Sequence, residues 1–283
     1  MKIGCSVYSF RKEFQSKKYA WTLETFKILK ATYPEIAGWE IISDFIDQYW
    51  KGSEPKDLLN LQSALKQVDF DWFAVTTPSG AFGQANLVPH WVDDAHYIEG
   101  FKRGNDFILG YAEEWIENTA SLGIKLMRID CAPLIMDHKI NYSMAFDFNV
   151  NRNIDNYRQI CAMAKEHGIA VGIENHGGFA SDPKVLKKLM DAVPDLYLTY
   201  DVGNVTDANR FPMLEDYAER INFVHAKTHV FNEFGDEQYL DFKRVIGTLK
   251  DKGFDGWLSI EFEGPTDGDT GVRKTIDLLK KYL

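Results

Sequence analysis

Four apolar, β-forming runs each end on a side chain that binds divalent cations: Val171-Gly-Ile-Glu174, Tyr197-Leu-Thr-Tyr-Asp201, Asn222-Phe-Val-His225 and Trp257-Leu-Ser-Ile-Glu261. The four end residues are 27, 24 and 36 positions apart, room for one returning helix and the next strand. Parallel strands closed into a barrel bring successive strand ends around one mouth, so residues distant in sequence become neighbours there. Three acids and an imidazole arriving together repel unless a cation lies between them. One nitrogen with several oxygen donors suits Mn²⁺, Mg²⁺, Co²⁺ or Zn²⁺ and does not rank them. Each residue alone has a plainer reading. A strand-end acid is usually a surface carboxylate or a cap, Asp201 before Val-Gly-Asn can begin a turn, and His225 can be a satisfied core histidine. Their joint arrival on consecutive strand ends favours one metal site.

The elements that must position these residues alternate along the whole chain. Strand candidates are Ile3–Val7, Trp39–Ile42, Trp72–Thr76, Leu126–Cys131, Ala170–Glu174, Leu196–Asp201, Asn222–Lys227 and Trp257–Phe262. Amphipathic stretches lie between them: Lys184–Val193 puts Val185, Leu186, Leu189, Met190 and Val193 on one face, and Asp241–Lys252 does so with Phe242, Val245, Ile246 and Leu249. Val272, Ile276, Leu279 and Tyr282 repeat the spacing in a last helix over Val272–Leu283. Repeated β-α units predict an α/β fold, a (β/α)8 TIM barrel, as a single domain over residues 1–283. The competitor is an open doubly wound sheet, but no GxGxxG follows the first strand.

Punctuation supports these boundaries. Gly123, Gly168 and Gly253 stand where helices stop before strands, and Asp182-Pro183 and Phe211-Pro212 read as helix entries. Two stretches, Thr77–Gly123 and Ala132–His167, exceed one simple helix and are expected to carry an extra loop over the mouth. Phe82, Trp91, Tyr97, Phe101 and Phe107 in the first could form a lid or pack against the barrel.

Composition narrows the function classes. The chain has 283 residues, 45% hydrophobic, enough for one large core. Its 32 basic against 42 acidic residues give a net charge of −10, which disfavours nucleic acid as a partner. No apolar run approaches the ~20 residues that span a bilayer, so no membrane partner is expected. The N-terminus turns polar at once (Ser6, Ser9, Arg11, Lys12), unlike a signal peptide. Cys5, Cys131 and Cys161 show no paired spacing, which fits reduced thiols and a cytoplasmic location.

Ile173-Glu-Asn-His-Gly-Gly178, Tyr200-Asp-Val-Gly-Asn204, Val224-His-Ala-Lys227 and Ser259-Ile-Glu-Phe-Glu-Gly264 resemble the strand-end motifs of the xylose-isomerase-like barrel superfamily, and its sugar phosphate isomerase/epimerase branch most. The resemblance implies that Glu174, Asp201, His225 and Glu261 hold one divalent cation, and that Glu174 and Glu261 form the acid/base pair. It further implies a sugar, sugar phosphate or cyclic polyol as substrate, and homo-oligomers are common in the family. Many members carry a histidine three residues after the strand-six aspartate. Here Asn204 stands there, which speaks against a multi-zinc site.

Further candidates follow from strand period. Glu174 shares a face with His176, His225 with Lys227 and Glu261 with Glu263, provided each strand continues. His176, Lys227, Asn204 and Glu263 are therefore candidate substrate contacts. The alternatives are a structural hydrogen bond for His176, pairing of Lys227 with a carboxylate, and a supporting or loop position for Glu263. Glu40 and Arg128 are expected to pair inside the barrel without a role in turnover. The expected chemistry is isomerisation or epimerisation by proton transfer. Competing readings are an inosose-type dehydratase, an abasic-site endonuclease and a non-catalytic sugar-binding barrel.

Overall fold

The alternation of apolar runs with amphipathic helices resolves, in a computed structural model, into eight parallel strands closed on themselves. Residues 1–20, 22–43, 55–77, 94–130 and 142–283 are described. The strands are β1 (Lys2–Ser6), β2 (Gly38–Ile42), β3 (Trp72–Thr77), β4 (Leu126–Ile129), β5 (Ala170–Glu174), β6 (Tyr197–Asp201), β7 (Ile221–Thr228) and β8 (Trp257–Phe262). Each pairs in parallel with its neighbours, and β1 closes on β8 from Lys2↔Trp257 to Cys5↔Ile260. Returning helices run over Leu23–Thr32, Pro55–Gln67, Asp94–Ser121, Tyr142–Glu166, Pro183–Ala192, Asp207–Tyr217, Phe242–Asp251 and Gly268–Tyr282. This is the expected (β/α)8 barrel. No helix among the described residues is long and apolar enough to cross a membrane.

The helices bury the stripes their sequences carry. Phe242, Val245, Ile246 and Leu249 are enclosed, as are Val185, Leu186, Leu189 and Met190. Each such side chain contributes about 2 kcal/mol by leaving water. Asp182 and Asp241 cap these two helices, accepting from Lys184 N and Arg244 N. Gly123, Gly168 and Gly253 do adopt positive φ, between 65° and 74°, at their helix ends.

One expectation needs correction. Phe211-Pro212 is not a helix entry. That helix begins at Asp207 with Thr206 as its N-cap, and Pro212 lies inside it, because the loop after β6 ends earlier than the proline indicated. Helices of 28 and 25 residues occupy most of what is described of the stretches after β3 and β4. Phe107 sits on the first of these helices, exposed and stacked on Tyr111. Tyr97 and Phe101 lie on the same helix, whereas Phe82, Trp91, Cys131 and the proposed lid loops fall outside the described residues.

The barrel interior is divided. Toward the strand starts it is plugged by Phe73, Phe223 and Trp257, with Phe73 stacked on Trp257 at 4.3 Å and edge-on to Phe223 at 5.8 Å. Glycines make the room: a Cβ at Gly4 would lie 2.7 Å from Phe73, and one at Gly38 2.8 Å from Trp257. Toward the strand ends the interior is polar and charged.

Asp269 joins the first crossover to the last helix. It accepts from the Tyr19 and Tyr33 hydroxyls, both at 2.7 Å, and pairs with Lys18 at 2.5 Å. Burial opposes its charge, but these donors outweigh burial and hold its carboxyl below the usual range. A depressed acid contributes stability above its unfolded value near 4, and the contribution is lost as pH falls through the folded value. Asp269→Asn is expected to lower Tm by roughly 4 °C at pH 7, with the deficit against wild type shrinking below about pH 4 in calorimetric scans.

Candidate metal centre

Strand register delivers the four sequence-predicted ligands to one level of the barrel. Asp201 is the register partner of His225, Lys227 that of Glu261, and Glu174 ends β5 beside Thr199. One donor atom from each of Glu174, Asp201, His225 and Glu261 lies within 4.8 Å of the others, and all four residues are buried. His225 Nδ1 is 2.8 Å from Glu174 Oε1 and 3.8 Å from both Asp201 Oδ2 and Glu261 Oε2. Carboxylates held within 4.8 Å of one another in a protein interior repel by roughly 3 kcal/mol.

The carboxylates are only partly satisfied. Asp201 Oδ1 accepts from Gly203 N at 2.6 Å and Asn204 N at 3.1 Å, so the turn reading of this residue holds for one oxygen. Its other oxygen, with Glu174 Oε2 and Glu261 Oε2, is buried and accepts no well-directed hydrogen bond. Charges stand close to them without completing that geometry: Arg128 Nη2 is 2.5 Å from Glu174 Oε2, and Lys227 Nζ is 3.0 Å from Asp201 Oδ2 and from Glu261 Oε2. One oxygen from each of three acids and one imidazole nitrogen, all within 4.8 Å of one another, are a donor set for a divalent cation.

The surrounding charges fall into two groups. Arg128 donates to Asp130 through Nε and Nη2, at 2.8 and 2.9 Å, as well as facing Glu174. It forms no direct pair with Glu40, contrary to expectation. Glu40 instead places both oxygens 3.0 Å from His225 Nε2 and accepts from Ser259 Oγ at 2.6 Å and from Thr76. Burial works against its charge, yet His225 and these donors hold its carboxyl down to about 2. Burial also opposes charge on His225, but Glu40, Glu261 and Glu174 raise its pKa well above the ordinary value. Lys227 and Arg128 are likewise raised by their acids against the effect of burial.

The four candidate substrate contacts sit around this centre. His176 lies just past β5 at the start of a short turn of helix, with Nδ1 3.7 Å from Asp130 and 4.0 Å from Glu174, and is partly exposed. Lys227 pairs with carboxylates, as its plainer reading had it, and also donates to Asn204 Oδ1 at 3.1 Å. Its stem passes over Gly203, where a Cβ would lie 2.9 Å from Lys227 Cδ. Asn204 Nδ2 is buried without a partner. Glu263 is 3.6 Å from Lys227 and 3.7 Å from His229 Nε2. Its carboxyl is lowered to about 2, chiefly by His229 and against burial.

Several positioning residues escaped the sequence reading. Asn175 is one: it bonds Asp201 in both directions, Nδ2 to the carbonyl at 2.8 Å and Oδ1 from the amide at 2.7 Å, locking β5 to β6. Arg210 reaches from its helix to the carbonyls of Val202 and Val205, fixing the loop that carries Asn204. Glu237 accepts four backbone N–H groups of the loop after β7. Asp130, just beyond β4, carried the one usable signal: it follows Arg128 by two residues, on the same face.

Comparison with known proteins agrees with the fold. An inosose dehydratase from Erwinia tasmaniensis is 26% identical over 161 residues, 47% of this chain and 53% of that protein. The chain spans about half the length of the curated relatives it matches. A sugar phosphate isomerase/epimerase from Parabacteroides distasonis, solved as a crystal structure, has a TM-score of 0.71 at 15% identity, covering 99% of this chain and 98% of that one. The crystal structure of the IolI protein with a binding zinc atom gives 0.69 at 17% identity, covering 100% and 99%. At such identities the two structures speak to the fold. The sequence profile of the xylose isomerase-like TIM barrels matches residues 99–282, well over half of the chain and including all four clustered donors, so this chain belongs to that family.

Proposed function

We propose that the chain is a divalent-metal-dependent isomerase or epimerase acting on a small sugar or sugar phosphate by proton transfer next to a carbonyl. The observation that carries the reading is the buried quartet in which Glu174 and Glu261, on β5 and β8, each keep an oxygen free of hydrogen bonds. The likeness to a sugar phosphate isomerase/epimerase structure supports a sugar substrate.

Glu174, Asp201, His225 through Nδ1, and Glu261 would hold the cation. Once bound, it polarises a carbonyl and the neighbouring hydroxyl and offsets the charge left when the α-proton departs. One glutamate would take that proton on the carboxylate oxygen not used for the cation, and the other would return a proton to the opposite face, inverting the carbon. Return by a single glutamate to the adjacent carbon gives aldose–ketose exchange instead. Arg128 stands 2.5 Å from Glu174 Oε2 and Lys227 3.0 Å from Glu261 Oε2, so each acid faces a fixed positive charge. Lys227 also offsets negative charge on the substrate oxygen, while His176, Asn204 and Glu263 orient hydroxyls at the rim.

A second reading, dehydration of an inosose-type cyclic polyol, is favoured by the identity to inosose dehydratase. It uses the same proton abstraction, followed by loss of a β-hydroxyl as water.

Two measurements test these assignments. The chain is expected to take up one Zn²⁺ or Mn²⁺ per molecule in equilibrium dialysis with metal analysis. Asp201→Ala should weaken uptake by roughly 100-fold while circular dichroism stays native. Uptake by that variant equal to wild type would remove the quartet as the site. Metal-loaded protein should incorporate solvent deuterium at the carbon next to the carbonyl of a ketose, ketose phosphate or inosose. Glu174→Gln and Glu261→Gln should each lose turnover by 10²-fold or more, on the order of a missing acid/base group. Deuterium exchange persisting undiminished in both variants contradicts the mechanism, and release of water with substrate loss selects the dehydratase.

A further inference from the structure

Glu40 lies outside the ligand quartet and the acid/base pair, yet it is fully enclosed in the barrel. Its carboxylate stands against the edge of the His225 ring opposite the quartet, with Oε1 and Oε2 both 3.0 Å from Nε2. Ser259 Oγ donates to Oε2 at 2.6 Å, and Thr76 Oγ1 donates to Oε1. Three strands besides its own therefore hold one carboxylate in place: β3 through Thr76, β7 through His225 and β8 through Ser259.

The chemistry of the ring follows. An ionised carboxylate only accepts, so Nε2 must carry a proton, and Nδ1 is the atom left to face Glu174, Asp201 and Glu261. Turning the ring over about its Cβ–Cγ bond would present C–H groups to both Glu40 and Glu174, losing the bonds on each side. Glu40 thus selects one rotamer and one tautomer together. Stability alone is a poor reason for such a group, because buried ion pairs gain little over apolar packing of the same volume.

We propose that Glu40 is the positioning residue of the metal centre: it holds His225 by Nε2–H so that Nδ1 is presented to the cation, and Ser259 and Thr76 hold Glu40 in turn. The inference rests on the metal-dependent reading above. Glu40 touches neither cation nor substrate in this role. It acts through the imidazole, as groups behind metal-bound histidines do.

The test uses zinc affinity of the full chain, read by competition with a chromophoric chelator, and ¹⁵N-histidine NMR of the ¹¹³Cd-loaded chain. Wild type should show cadmium coupled to one histidine Nδ1, with Nε2–H retained, and His225→Ala should abolish that signal. Glu40→Gln should keep its fold while its zinc Kd rises roughly 10- to 100-fold and the Nδ1 coupling weakens. An unchanged Kd in folded Glu40→Gln, or cadmium on Nε2 in wild type, overturns the proposal. Should that variant fail to fold, Ser259→Ala removes the 2.6 Å support without touching the ring. Its Kd should rise by roughly 3- to 10-fold, at the lower end for an outer group, and no rise overturns the proposal. Wild type that binds zinc through Nδ1 but turns over no sugar or polyol sinks the functional reading and leaves this inference intact. Wild type that binds no zinc sinks both.

Discussion

Mutual repulsion among acids confined to the upper barrel is the constraint on which the rest of this structure depends. Glu40, Glu174, Asp201 and Glu261 are all buried around one imidazole, where water cannot screen them. The protein answers part of that charge with its own cations. Arg128 stands between Asp130 and Glu174, Lys227 bridges Asp201 and Glu261, and the His225 ring joins Glu40 to Glu174. An oxygen of Glu174, of Asp201 and of Glu261 still lacks a directed hydrogen bond. Fixed side chains supply positive charge near the acids without completing that geometry.

The fold tolerates this because the two ends of the barrel do different work. Phe73, Phe223 and Trp257 close the end at the strand starts, packed tightly enough that Gly4 and Gly38 have no room for a side chain. Apolar helix faces seal the outside of the sheet. Stability is thereby supplied away from the mouth, which leaves the strand ends able to carry groups that a core would reject. Backbone-directed bonds then fix those ends, through Asn175 between β5 and β6 and through Arg210 and Glu237 in the loops beyond β6 and β7.

Much of this was legible in the sequence, for a physical reason. Strand period and barrel closure act on every β-α unit alike, so the ends of Ala170–Glu174 and Trp257–Phe262 coincide with the strands observed, and the others shift by a residue or two. Residues that act at strand ends were found because type and position coincide there. Residues that act across the barrel were not. Glu40 was matched with Arg128 because both interrupt apolar strands, but opposite charge alone does not say which neighbour is reached. The Glu40 side chain reaches across the barrel to His225, and Arg128 turns to Asp130. Pro212 misled for a similar reason: proline favours a first turn but is tolerated deeper in a helix, and Arg210, which fixes the preceding loop from within that helix, outweighs it.

The stretch that matches the family model spans the four clustered side chains, and further polar groups stand around them. His176, Asn204, Lys227 and Glu263 offer donors and acceptors of both kinds, suited to hydroxyl groups. All of it presupposes that the quartet binds an ion. The most direct measurement is anomalous diffraction at the zinc edge from crystals grown with Zn²⁺. The account predicts one strong peak about 2 Å from His225 Nδ1 and from oxygens of Glu174, Asp201 and Glu261. A fully zinc-equilibrated crystal with no peak there, or with Lys227 still bridging Asp201 and Glu261 and the metal bound elsewhere, would contradict it.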